Sequence, residues 1–354
     1  MTILLTVVAL IAGLVALLFA LAHYWANTPH GRIKPVFAVV FRLAPILKPR
    51  HAARGLGASE MDTPEQTAKV RAEFLQDIAP LAKPVTFTGT IEDRELPGGP
   101  GGDLPVRIYS PEASDGRGPL PLVVYFHGGG FVVGSRESTD VATRILAMSA
   151  PAVVVSVDYR MAPEHPFPAA VEDCDFAVSW CFENAASLGA RSGPVAVAGD
   201  SAGGNLSAVM AQRDLSREQR RIGLQVLIYP WVDATRTDRA SHVAFAEGYG
   251  LRTKDLEECT QRYAPTGTDL AHPDLSPLHA KSLTGLPPAC VITAGFDVLR
   301  DEGTEYAEAL RAAGVEVKHV NEPALPHGFI TMTRLCSEAR TNLETIASEV
   351  RAMA

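Results

Sequence analysis

The sequence lacks the cysteine pattern of a disulfide scaffold. Its five cysteines, Cys174, Cys181, Cys259, Cys290 and Cys336, are odd in number and show no C-x-x-C spacing. That excludes a small cross-linked fold and a thiolate metal site, and leaves buried free thiols as the expectation. No dense block of Lys and Arg is present either. With 32 basic against 40 acidic residues the net charge is −8, so nothing tracks a phosphate backbone and nucleic acid is excluded as a partner. The chain has no internal repeat, and no residue cluster in it implies a metal or a cofactor.

A further absence concerns the N-terminus, where Ile3–Ala22 contains no charged residue. A run of that length suffices to span a bilayer as a helix. It exceeds a usual signal-peptide core and no Lys or Arg precedes it, so an uncleaved membrane anchor is expected. The alternative is a signal peptide cleaved after Ala20-Leu21-Ala22, with export. Arg32, Lys34 and Arg42 follow the run closely, a bias that would leave the remainder of the chain on the cytoplasmic side. An anchored domain facing outward competes with that orientation.

Three parts follow from this: an anchor over 1–23, a juxtamembrane and cap segment over 24–83, and a main domain over 84–354. Residues 24–60 carry Arg32, Lys34, Arg42, Lys48, Arg50 and Arg54 around apolar Val36–Leu47. They either lie on a membrane surface or cover the main domain. Thr63-Pro64-Glu65-Gln66 is a capping box with proline at the first helical position, predicting a helix to about Leu81. From Pro84 the texture changes. Val85–Ile91 and Leu104–Tyr109 suit an antiparallel pair. Apolar strands are then expected at Leu122–Phe126, Val153–Val157, Val195–Ala198, Leu224–Tyr229, Ala289–Thr293 and near Val315–Val320. Helices are expected between most of them, at 137–149, 169–187, 202–214, 301–313 and 337–353. The alternation predicts an α/β fold, a mainly parallel sheet covered on both faces. Residues 232–275, with a helical piece at Thr253–Tyr263, interrupt it as an insertion suited to a lid.

The chemistry collects at strand ends. Gly199-Asp200-Ser201-Ala202-Gly203 matches G-x-S-x-G after an apolar strand, a turn that lifts a serine hydroxyl above the sheet edge at a helix N-terminus. His127-Gly128-Gly129-Gly130-Phe131 follows another strand, and its glycines can turn N–H groups toward a small anion. Their spacing does not fit a dinucleotide loop, and no Walker lysine follows. Asp297 lies just past Ala289–Thr293, where open α/β sheets place their sites. Its rivals Asp301 and Glu302 open the next helix, where carboxylates serve the helix dipole. His327 follows the last strand and completes the order Ser, Asp, His. His127 and His165 are expected to be structural.

With Asp158-Tyr159-Arg160-Met161-Ala162-Pro163-Glu164-His165-Pro166-Phe167-Pro168-Ala169 added, the chain from about residue 85 onward resembles the hormone-sensitive-lipase-like branch of the α/β-hydrolase esterases. The one departure is Val298, where the family usually has proline. The resemblance implies a helical cap and a serine carboxylesterase acting on short- to medium-chain acyl esters without a cofactor. It implies Ser201 as nucleophile, His327 as base and Asp297 as its orienting acid. The N–H groups of Gly129, Gly130 and Ala202 would form the oxyanion hole, and the proline-rich stretch would brace the glycine loop. Helix 63–81 and the insertion are expected to close over Ser201, with Phe131, Trp231, Phe245, Leu251 and Tyr263 lining an acyl pocket. An amidase or deacetylase with the same triad is the alternative. A hydrolase-fold hormone receptor is disfavoured, since such receptors lose the histidine. Oligomeric state is left open.

Overall fold

The computed structural model describes residues 2–47, 55–112 and 119–353. Lys48, Arg50 and Arg54, part of the basic run noted above, lie outside the described residues. An eight-stranded sheet organises the rest. In chain order its strands are β3 (Gly89–Gly99), β4 (Gly102–Pro111), β5 (Leu122–Phe126), β6 (Val153–Val157), β7 (Val195–Asp200), β8 (Ile222–Ile228), β9 (Ala289–Phe296) and β10 (Val317–Pro326). Their spatial order is β10-β9-β8-β7-β5-β6-β4-β3. The six from β10 to β6 run parallel, while β4 is antiparallel to both its neighbours. Every residue of β5, β6, β7 and β9 is buried, as expected of strands covered on both faces.

The expected strand at Val85–Ile91 begins only at Gly89. Its partner ends at Pro111, opposite Gly89, and among the described residues the pairing is carried further only by Glu112 N–H to Thr88 O at 3.0 Å. The helices run close to expectation: α4 (Arg136–Ser149), α5 (Ala169–Asn184), α6 (Ala202–Ser216), α9 (Arg300–Ala312) and α10 (Glu338–Ala352). In front of the domain, α3 (Pro64–Ile78) starts with the foreseen capping box, in which Gln66 N–H donates to the Thr63 hydroxyl and Thr63 N–H to the Gln66 side chain. Three residues of 3-10 helix carry it on to Leu81.

The N-terminal expectation needs correction. Among the described residues no helix is long and apolar enough to cross a membrane. The transmembrane anchor over Ile3–Ala22, the membrane attachment and the placement at a membrane's cytoplasmic side are all overturned by that finding. The segment is helical, as α1 (Thr2–Trp25). Its end is built into the domain. Trp25 packs on the core, Ala26 is buried, and Ile33 N–H donates to Ala26 O across a hairpin of β1 (Asn27–Thr28) and β2 (Gly31–Arg32). Residues 24–47 thus cover the main domain. α2 (Pro35–Leu47) buries Phe37 and Ala38, Lys34 N–H donates to Ala324 O, and the Lys34 ammonium pairs with Glu338.

The insertion contains α7 (Ala240–Ala244) and α8 (Thr253–Tyr263). Its two legs are zipped together by Leu278 N–H to Val232 O at 3.1 Å and Ala234 N–H to the Ser276 hydroxyl at 2.8 Å. All five cysteines are free and buried.

Candidate active site

Ser201 stands between β7 and α6 with φ 58° and ψ −117°, a strained backbone conformation costing of order 1–3 kcal/mol for a residue with a side chain. Close packing holds it there. A Cβ on Gly203 would run into the carbonyl of Phe126, and one on Gly199 would strike Gly203 itself. The turn is fastened by Ser201 N–H to Ile228 O at 2.8 Å and by Asn205 N–H to Ser201 O at 3.0 Å.

His327, just past β10, places Nε2 3.0 Å from the Ser201 hydroxyl and Nδ1 2.8 Å from Asp297 Oδ2. Facing a carboxylate, Nδ1 donates, which leaves Nε2 bare to accept the hydroxyl proton. The other oxygen of Asp297 accepts Leu299 N–H at 2.9 Å, so the carboxylate is held from two sides. The rival acids are engaged elsewhere. Asp301 accepts Ser241 N–H and pairs with Arg300, both at 2.8 Å. Burial alone would raise its carboxyl, but those bonds hold it below the usual carboxylate range. Glu302, fully buried and pushed up by burial, accepts the N–H groups of Val232 and Asp233.

Beside the serine, Gly129 and Gly130 adopt φ of 127° and 61°. Among the described residues their N–H groups have no acceptor in the protein, and Ala202 is the first residue of α6, ahead of the intrahelical bonds. The loop is held from beneath. Asp200 Oδ1 accepts both Gly128 N–H at 3.1 Å and the Tyr125 hydroxyl at 2.9 Å, and burial pushes this carboxyl above its ordinary value. The Tyr159 hydroxyl donates to His127 O at 2.7 Å while its ring stacks on the imidazole at 4.3 Å. Burial lowers the His127 pKa and keeps the ring neutral. Ala162 N–H donates to Phe131 O at 3.0 Å. The proline-rich stretch therefore braces the glycine loop, and His127 belongs to the brace.

Two further residues carried no recognisable signal. Arg71 of α3 donates to Val132 O and Ala162 O and pairs in bidentate fashion with Glu164 at 2.9 and 2.8 Å. It ties the cap helix to the brace. Asn205, buried one turn beyond Ser201, donates its side-chain amide to Trp231 O at 2.7 Å and Leu275 O at 2.8 Å. Its sequence position marks it only as a helical residue.

A cavity of about 310 Å³ opens above Ser201 and His327. α3 contributes Phe74 and Ile78 to its wall, and the insertion contributes Leu251, Leu256 and Cys259. Both expected cap elements thus meet over the serine. Of the expected pocket residues, Trp231 and Leu251 line this cavity. Phe131, Phe245 and Tyr263 do not. Phe131 and Tyr263 stack on each other at 3.9 Å beneath the cap. Phe245 is buried among His30, Tyr249 and Phe296, with Arg300 over its ring. Leu56, Phe74, Ile78 and Met332 were not anticipated. The Cys259 thiol, raised well above its ordinary pKa by burial, stays protonated. Among the described residues no group of His, Cys, Asp and Glu is arranged to hold a metal ion.

Residues 123–331, more than half of the chain, match the model of the alpha/beta hydrolase fold family. A carboxylic ester hydrolase, LipN of Mycobacterium tuberculosis, is 43% identical over 270 residues, covering 74% of this chain and 70% of its own. An ethyl acetate hydrolase of Pseudomonas putida is 36% identical, with 80% and 89% covered. Among solved structures, the ester-hydrolase EH1AB1 from the Lake Arreo metagenome superposes with a TM-score of 0.83 at 37% identity, over 90% of this chain and 98% of that one. The chain therefore belongs to the alpha/beta hydrolase fold family, in its hormone-sensitive-lipase-like branch of carboxylesterases.

Proposed function

We propose that Ser201, His327 and Asp297 carry the ester hydrolysis of this serine carboxylesterase, with the N–H groups of Gly129, Gly130 and Ala202 as the oxyanion hole. The Ser201 hydroxyl attacks the ester carbonyl as His327 Nε2 takes its proton. Asp297 holds the tautomer and stabilises the imidazolium. His327 then returns the proton to the departing alcohol, and water, activated by the same nitrogen, releases the acid from the acyl-serine. The observation that carries this reading is the unbroken relay, 3.0 Å then 2.8 Å, ending beside two glycine amides without acceptors. The apolar cavity walls suit small to medium acyl groups, and the ethyl acetate hydrolase among the relatives acts on a small ester.

The test is a panel of p-nitrophenyl esters of graded acyl length beside matching anilides, on the parent and on Ser201→Ala. Ester turnover in the parent, reduced by roughly 10⁶ in the variant, is the expected result. Turnover of anilides without esters, or a variant as active as the parent, overturns it.

A further inference from the structure

Behind the catalytic cavity lies a second one, of about 170 Å³, between α3 and α4. The two share Ile78, Ser138 and Thr331 as common wall. The rest of the second cavity is made by Leu75, Ala79 and Ala82 on one side and Val141 and Ala142 on the other, with Glu137 and Asp140 at its edge. Its polar groups are already engaged. The Ser138 hydroxyl accepts Ser135 N–H and donates to Ser135 O, the Thr331 hydroxyl donates to Gly328 O, Asp140 accepts from Tyr109 and Arg144, and Glu137 pairs with Arg107. What remains for a ligand is mainly hydrocarbon surface.

We propose that this chamber is a substrate subsite for an unbranched apolar arm of the ester, entered past Ile78 from the catalytic cavity. The inference rests on the esterase reading above. The arm belongs either to the acyl chain or to the alcohol, and either source presents the same chemistry to these walls. Beyond the length that fills the first cavity, each methylene buried in the second raises kcat/KM by about fourfold.

The test uses two series on the full chain: p-nitrophenyl esters from acetate to decanoate, and acetates of alcohols from ethanol to decanol. Each is measured on the parent, on Ile78→Ala, which widens the passage, and on Val141→Trp, which fills the chamber from its far wall. The quantity read is the ratio of kcat/KM for long over short substrates. In one series that ratio falls about sixteenfold in Val141→Trp, the equivalent of two methylenes, and rises in Ile78→Ala. The responding series identifies the arm. Should Val141→Trp fail to fold, Leu75→Trp fills the same space from the opposite wall. Ratios unmoved by both changes in both series overturn the subsite, while the parent's acetate turnover separately reports whether the esterase reading stands.

Discussion

Gly130→Ala tests how closely the cap presses on the oxyanion loop. A methyl group there would lie 2.6 Å from Cys259 Sγ and 3.3 Å from both Cys259 Cβ and Leu56 Cδ1, at a backbone φ of 61°. The left-handed conformation alone costs alanine about 1–2 kcal/mol. The contact with sulfur cannot persist, and Cys259 is fully buried on α8 with little room to turn. The yielding part is the loop at Gly129 and Gly130, whose N–H groups have no acceptor among the described residues. Each oxyanion donor drawn from its place is worth about 3 kcal/mol, so kcat is expected to fall ~10²–10³-fold while KM, set by the apolar walls, moves far less. Cys259→Ala removes the sulfur and leaves the 3.3 Å approaches of its Cβ and of Leu56 Cδ1. The double variant should therefore recover most of the lost kcat, leaving a deficit of about tenfold for the strained backbone. Steady-state kinetics on p-nitrophenyl acetate, with thermal melts of all four proteins, complete the cycle. A single variant with undiminished kcat, or a double variant no better than the single, refutes the argument.

Asp297→Asn should lower kcat by ~10⁴ through loss of the correct histidine tautomer, whereas Asp301→Asn, which touches only Ser241 and Arg300, should cost far less. Greater sensitivity at Asp301 would transfer the acid role to it. Asp233, between Thr235, Arg239 and His279, gives an acid-stability signal. Burial would raise its carboxyl, but those hydrogen bonds win and lower it from 3.8 to about 2. A depressed folded pKa contributes stability that is present above about pH 4 and lost as the pH falls toward about 2. Urea midpoints of Asp233→Asn should therefore decline less steeply than the parent's across that window, and parallel curves would count against the pairing.

Ser201, Asp297 and His327 could be singled out because each lies just past a strand, a place set by period and chain order. Ser201, Asp297 and His327 meet as that order requires. Pocket residues were less legible. An aromatic in or beside the insertion reads the same whether it lines the cavity, as Trp231 does, or meets a neighbouring ring, as Phe245 and Tyr263 do. Leu56 and Phe74 reach the cavity from segments distant in sequence, by packing that no local pattern encodes. The N-terminal run misled for a related reason. Apolarity over Ile3–Ala22 does not by itself say what covers it: Val15, Leu17, Leu18 and Phe19 are exposed, whereas Ala26, Ile33, Phe37 and Ala38 beyond the run are buried in the domain core.

Asn205 has a consequence for how such a protein can change. Both ends of the cap insertion, at Trp231 and Leu275, hang from one amide carried on the helix that begins beside Ser201. Cap insertion and helix are thereby tied together at one side chain. The insertion's interior is also bonded to the body, Ser241 to Val298 O and Asp301, and Arg239 to Glu305. A change that moves either end of the insertion therefore bears directly on the helix that opens at Ser201.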